Sequence, residues 1–386
     1  MSTFRSARRR GALLLLVVLT GCISSGTSRR TDSEDAARVT AAERIAGSVA
    51  VDSQDLLPGY AGAVGREGRI VFSRAAGLAD VRSARPATPR TRFRIYSTSK
   101  SLGAVAAMAL AEAGRLDLDA PISRHLPRLP THIGVVSVRQ LLAHRSGIRH
   151  YRDGEWDSVS DSRCASPGEA LGDFVDAPLQ FAPGTDYRYT TFGYVLLSAV
   201  LEAADGRPFD VLMRERVFKP AGMTSTAIEG GPTARVNVAA FYDRDERGNF
   251  SETVGIDASC KFLGGGFIST AEDLVRFGLA LVDGRLVSAG SLQQMLRIHS
   301  AGGGNAPPYG YGFIPGDALV DTFGVAIEDF VPNWWHGGNG RGGYSVLIIY
   351  PDHRAAAAIT TNVRASGRLV RATHMLALPF LRPWTR

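Results

Sequence analysis

Ser97 and Lys100, held three residues apart in Ser97-Thr98-Ser99-Lys100, are the residues of this chain whose types and spacing best suit covalent chemistry. Side chains three apart on a helix lie on one face, so the Lys100 amine can take or hold the proton of the Ser97 hydroxyl and make it a nucleophile. The following residues carry that helix. Leu102, Val105, Ala106, Ala109, Leu110 and Ala113 recur at helical spacing, and Gly114 before Leu116-Asp117-Leu118-Asp119 supplies the stop. Ser97 is therefore expected at the positive end of a helix, where backbone N–H groups favour an oxyanion. Ser-x-x-Lys matches arise by chance, but this chain has only three lysines, Lys100, Lys219 and Lys261, and its other fixed cations are arginine. An arginine would not serve, because a guanidinium keeps its proton whereas a buried amine can be tuned toward neutrality.

A nucleophile also needs acid–base help and donors for the oxyanion. Tyr189, in Tyr187-Arg188-Tyr189-Thr190-Thr191-Phe192-Gly193-Tyr194, follows the loop Phe181-Ala182-Pro183-Gly184 and precedes an apolar helix expected from Val195 onward. A phenol beside a lysine amine can have its pKa lowered enough to act as a base. The run Trp335-His336-Gly337-Gly338-Asn339-Gly340-Arg341-Gly342-Gly343 leads into a strand at Tyr344, and its glycines let a backbone approach a ligand closely. It also satisfies G-x-G-x-x-G formally, but no strand precedes it and a strand rather than a helix follows, so nucleotide binding is rejected. A substrate-edge strand is expected instead, with His336 as a polar donor.

The whole chain bounds these readings. Its 386 residues, 45% hydrophobic and 21% charged, allow one large or two interlocked domains. Arg5, Arg8, Arg9 and Arg10 precede the apolar run 12–19, and Leu19-Thr20-Gly21-Cys22 then reads as a lipobox. Cleavage before Cys22 and lipid on that cysteine are expected, with residues 22–42 as a tether. Losing residues 1–21 removes four arginines and no acid, which lowers the formal charge from +7 to +3. The remaining charge is dispersed, which argues against nucleic acid as a partner. Cys164 and Cys260 are then an even pair in a compartment that permits disulfides, and a bridge between them is open. The eight histidines show no metal-binding spacing, and neither metal nor cofactor is expected.

The elements that must position these residues follow from pattern. A helix is expected near 36–47 and a hairpin over 61–78 turning at Arg66-Glu67-Gly68-Arg69. Short helices broken by Pro and Gly fill 121–260. A strand pair, 344–350 and 355–361, turns at Pro351-Asp352-His353-Arg354, and a helix over 369–381 covers the sheet. Strands at both ends with helices between give an α/β (α+β) chain, with a sheet domain of 43–117 and 266–386 and a mostly helical domain of 118–265.

Taken in chain order, Ser97-x-x-Lys100, Tyr189-x-Thr191 and His336-Gly337-Gly338 resemble the three motifs of the class C β-lactamase superfamily, which includes D-alanyl-D-alanine carboxypeptidases and esterases. Leu141-Leu142-Ala143-His144-Arg145-Ser146-Gly147 and Gly265-Gly266-Phe267-Ile268-Ser269-Thr270 look like segments of the same group. Ser146-Gly147-Ile148-Arg149-His150-Tyr151 and Tyr189-Thr190-Thr191-Phe192-Gly193-Tyr194 resemble its mitochondrial serine β-lactamase-like peptidase branch. The resemblance implies the β-lactamase/transpeptidase-like fold, an antiparallel sheet flanked by helices plus a helical domain. It implies Ser97 as acylated nucleophile, Lys100 and Tyr189 sharing base and acid work, and His336, Thr191, Gly337 and Gly338 along the substrate. The N–H groups of Ser97 and Asn339 would form the oxyanion hole. β-Lactamases end the second motif in asparagine and begin the third with lysine, where this chain has Thr191 and His336. The change favours peptide, peptidoglycan stem-peptide or ester substrates over β-lactams. A β-lactamase or penicillin-binding protein is the alternative, and a catalytically silent envelope-binding module the alternative of another class. Cys22 places the chain in the cell envelope, facing the periplasm. Ile23, not aspartate, follows the lipid-bearing cysteine and favours the outer membrane. The oligomeric state is not legible.

Overall fold

The computed structural model describes residues 25–51, 57–155, 163–231, 236–253, 255–300 and 308–382. The expected signal segment 1–21 and Cys22 lie outside the described residues. The described residues 25–37 belong to one compact unit and those from Arg38 onward to a second. The expected tether over 22–42 requires correction, since Ser25–Val51 is a continuous helix, α1. Polar composition at 24–35 suggested a flexible chain. Ala36, Ala37, Arg38, Ala41, Ala42 and Glu43 are strong helix formers, and a helix once nucleated propagates at little cost.

The second unit is built on a seven-stranded antiparallel sheet to which both chain ends contribute. Its strands are β1 (Gly59–Arg66), β2 (Arg69–Asp80), β3 (Arg85–Pro86), β9 (Ile314–Pro315), β10 (Trp334–Gly340), β11 (Gly343–Tyr350) and β12 (Ala355–Thr361), in the order β3-β2-β1-β12-β11-β10-β9. The hairpin expected over 61–78 is β1–β2, and the pair expected over 344–361 is β11–β12, in register Tyr344↔Thr361 to Tyr350↔Ala355. Alternate residues of the central strands enter different cores. Leu347, Ile349, Ala356 and Ala358 pack with Leu274 and Phe277 of the helix Ala271–Val282, while Val346, Ile348, Ala357 and Ile359 pack with Leu369, Val370 and Leu376 of the helix Arg368–Leu381. A sheet covered on both faces explains why these strands read as unbroken apolar runs.

Between the sheet strands the chain is largely helical, with short pairings. β4 (Phe93–Arg94), β5 (Ala227–Ile228) and β8 (Phe267–Ser269) form a small sheet, and β6 (Tyr242–Arg244) pairs with β7 (Phe250–Glu252). Two helices matter for the site. α2 (Ser99–Glu112) is apolar on all sides and buried through Met108, as a central helix must be, and it ends before Gly114, whose φ of +66° suits glycine. α3 (Thr191–Asp205) starts four residues before the expected Val195, because the Thr190 side chain accepts the Gly193 N–H and caps it there. It closes on Gly206 in the left-handed region.

Candidate active site

A single 3₁₀ turn, Tyr96–Thr98, delivers Ser97 at the entrance to α2. The turn is fixed from two sides. β4 before it is anchored by buried Arg94, which pairs with Glu229 and donates to the Ile256 carbonyl at 2.6 Å. On the sheet side Ser345 Oγ donates to the Ile95 carbonyl at 2.7 Å and meets Thr98 Oγ1 at 2.8 Å, which ties the turn to β11. Tyr96 holds φ at +42°, unusual for a residue with a side chain, and its hydroxyl donates to the Arg341 carbonyl.

Glycine lets these surfaces meet. A Cβ on Gly338 would sit 1.9 Å from the Ile95 carbonyl oxygen, and one on Gly340 would sit 2.7 Å from the Tyr96 ring. The expected glycine-rich entry to a strand is itself the strand β10, paired with β11 from Trp334↔Ile349 to Gly340↔Gly343. Asn339, opposite Tyr344, is exposed.

Lys100 projects from the first turn of α2 onto Ser97, as the spacing predicts. Its amine lies 2.9 Å from Ser97 Oγ and donates to the Gly264 carbonyl at 2.8 Å. Burial holds the amine well below the usual lysine range, and the charge of Lys261 pushes it the same way. An amine without its proton can accept the serine hydrogen along that contact.

Tyr189 reaches the same point from the segment before α3. Its ring lies 4.9 Å from the Lys100 amine, and a hydrogen bond links it to Ser97. The expectation of a lowered phenol pKa is corrected: burial raises it, and the bond with Ser97 only partly opposes this. The two shifts run in opposite senses, favouring the amine without its proton and the phenol with it, so Lys100 suits a base and Tyr189 a proton donor.

His336 and Thr191 are both buried. His336, within β10, is 2% exposed. The carbonyl of Gly337 can only accept, so His336 Nδ1 donates to it at 2.7 Å, and Nε2 is left to accept the Tyr309 hydroxyl at 2.8 Å. Burial and the nearby Lys100 lower its pKa to about 3, so the third motif presents no cation. Thr191 is buried too, because its methyl packs under Gly264, where a Cβ would come within 2.6 Å. Gly337 is half-buried and Gly338 buried within β10.

The structure adds residues the motifs did not give. Tyr309 is fully buried, 27 positions from His336 in sequence, and packs against both His336 and Tyr189. His144 lies with its ring 4.3 Å from that of Tyr189. The run Pro308-Tyr309-Gly310-Tyr311-Gly312, with aromatics between glycines, was the available signal for the first; for Tyr309's pairing with His336 there was none. Cys164 and Cys260 are joined, with Cα atoms 4.9 Å apart, and the bridge pins the segment Ser259–Gly264 that offers its last carbonyl to Lys100. A cavity of about 1300 Å³, lined by Cys164, Phe209, Phe218, Met223, Ile228 and Phe262 among others, includes none of Ser97, Lys100, Tyr189 or His336. Among the described residues no cluster of His, Cys, Asp and Glu could hold a metal, and no helix is long and apolar enough to cross a membrane.

A buried amine on a serine, a tyrosine beside both and a glycine edge strand are a recurrent combination, and comparison agrees. The Beta-lactamase family model matches residues 42–379. The chain belongs to the beta-lactamase family. Family relatives include the serine beta-lactamase-like protein LACTB, mitochondrial, of Mus musculus, 31% identical over 59% of this chain and 54% of that protein. The chain thus spans about half the length of the LACTB proteins it matches. Esterase EstB of Burkholderia gladioli is 30% identical over 78% of this chain and 77% of its own length. Among solved structures, a penicillin-binding protein from Bacillus halodurans superposes with a TM-score of 0.67 at 25% identity, covering 82% of this chain and 93% of that one. The antiparallel sheet with flanking helices is the family fold.

Proposed function

We propose that this β-lactamase-like serine hydrolase is a peptidase or esterase of the cell envelope that works through an acyl-enzyme on Ser97. The single observation that carries the mechanism is the buried Lys100 amine, 2.9 Å from Ser97 Oγ and held well below the usual lysine range. Ser97 Oγ attacks the substrate carbonyl carbon as Lys100 takes its proton, and a C–O bond forms. The resulting oxyanion faces the N–H groups assigned to Ser97 and Asn339, worth about 3 kcal/mol of barrier per donor. Collapse breaks the bond to the leaving amine or alcohol, which takes the Tyr189 proton, and Lys100 returns a proton to the phenol. Water then repeats the attack on the ester and frees Ser97.

The substrate class follows from charge. With His336 neutral and buried and Thr191 tucked beneath Gly264, the cation and the amide that grip a β-lactam have no counterpart at these positions. Peptide, peptidoglycan stem-peptide and ester bonds are therefore preferred, and the intact Ser97, Lys100 and Tyr189 arrangement weighs against a silent binding module. Ser97→Ala should leave the fold intact and abolish turnover of a panel of peptides, esters and chromogenic β-lactams. Retained turnover sinks the mechanism, and β-lactams turning over fastest would reverse the substrate order.

Lipid attachment at Cys22 would hold the domain at the membrane facing the periplasm, and Ile23 favours the outer one. Fractionation of cells making the full chain should recover it with outer membrane, and Cys22→Ala should release it. Recovery with inner membrane alone refutes the assignment.

A further inference from the structure

The start of α3 is capped in an unusual way. The first N–H groups of a helix lack partners within it and are ordinarily met by a hydroxyl, carboxylate or amide side chain. Thr190 meets Gly193 in that manner, but the neighbouring donors go to imidazoles. The Thr190 N–H is accepted by His144 Nδ1 at 3.2 Å and the Thr191 N–H by His150 Nδ1 at 3.2 Å. These two peptide groups immediately follow Tyr189. The phenol's place over Ser97 is therefore set by the residues the imidazoles hold.

We propose that His144 and His150 are positioning residues for Tyr189: their Nδ1 atoms accept the N–H groups of Thr190 and Thr191 and so fix the backbone that aims the phenol at Ser97. The inference rests on the reading of Tyr189 as a proton donor at that serine. Further contacts lace the same two segments together. The Arg188 N–H donates to the His144 carbonyl at 2.9 Å and Thr190 Oγ1 to the Arg149 carbonyl at 2.7 Å. The His144 ring lies tilted against that of Tyr189 at 4.3 Å, while His150 meets it edge-on at 6.0 Å. His144 adopts φ +55°, a left-handed backbone that glycine would enter without strain, yet an imidazole stands there.

Each acceptor nitrogen must lack a hydrogen, which makes both rings neutral with the proton on Nε2. Their surroundings enforce this. Burial above all keeps His144 well below the usual histidine range, among the rings of Tyr187, Tyr189, Tyr194 and Tyr309. His150 is lowered to about 4 by burial and by Lys100, Arg188 and Lys261, with Glu155 opposing.

The test compares two isosteres. Asn places its amide oxygen where Nδ1 stood, whereas Gln places it one bond further, near Nε2. For p-nitrophenyl acetate hydrolysis by the full chain, His144→Asn and His150→Asn should keep kcat within about threefold of wild type, while His144→Gln and His150→Gln should lower it roughly 10- to 100-fold with KM nearly unchanged. Equal losses in both pairs, or no loss in the Gln pair, overturn the proposal. Ser97→Ala, run alongside, isolates the other premise: turnover that survives it, or none in wild type, counts against the Ser97 mechanism. Long-range 1H–15N NMR of the full chain decides the histidines independently of activity. Both rings should be neutral with Nδ1 bare, and a hydrogen on Nδ1 of either one overturns the assignment.

Discussion

The two walls that meet at Ser97 are built on opposite principles. On the helical wall, α2 supplies Lys100, the segment before α3 supplies Tyr189 and the loop 143–150 supplies His144 and His150, held in place through hydrogen bonds and burial. The sheet wall works through missing side chains. Gly338 and Gly340 of β10 are needed so that backbone can lie against Ile95 and Tyr96, and the functional-looking His336 is turned inward to Tyr309. One wall controls where protons are, and the other controls how close a backbone can come. Substitutions should therefore fail differently on the two sides, by electrostatics on one and by steric clash on the other.

Lys100→Met should show the largest effect, a loss of turnover on the order of 10⁴-fold or more, because it removes the amine 2.9 Å from Ser97 Oγ that takes the serine proton. The same change should stabilise the fold. The folded Lys100 has a pKa below its unfolded value, so between the two the unfolded chain binds more protons and wild-type stability rises with pH. Thermal unfolding across pH should show that rise in wild type and its reduction in Lys100→Met. Wild-type turnover should fall as pH drops through the lowered Lys100 value, since protonation removes the base. A variant that lost activity and stability together would blur the distinction between the walls.

Gly338→Ala probes the sheet wall. A Cβ 1.9 Å from the Ile95 oxygen must push β10 and the Ser97 turn apart, with turnover falling roughly 10²-fold and a melting temperature below wild type. Unchanged melting and turnover would show that the edge tolerates side chains after all. The smallest effect on catalysis is expected from Cys164→Ser with Cys260→Ser. Losing that bridge should cost about 2–4 kcal/mol of unfolding free energy and change kcat only a few-fold, roughly, because Ser198 still holds the Leu263 N–H next to Gly264. Denaturant unfolding under oxidising and reducing conditions measures the first quantity and ester kinetics the second.

Much of the fold was legible because its signals are local. The hairpin at 61–78, the paired strands at 344–361 and the closing helix each carry their pattern within a few residues. The start of α3 was misplaced because its cap, Thr190, lies outside the apolar run that advertises the helix. The tether was misread for a related reason, since helix propensity at 36–43 extends helical structure into polar residues with no periodicity of their own.

The sequence by itself determined the contact between Ser97 and the Lys100 amine, because a serine and a lysine three apart at the start of a helix meet whatever surrounds them. It also determined the order of the three motifs. Only the tertiary structure decided the chemistry each can perform. The Lys100 amine is shifted toward its neutral form, the Tyr189 phenol toward its protonated form and His336 is hidden because desolvation depends on everything packed around a group, and here that packing comes from Gly264, Lys261 and Tyr309, far away along the chain. Spacing brings charges together, but burial decides whether they remain charged.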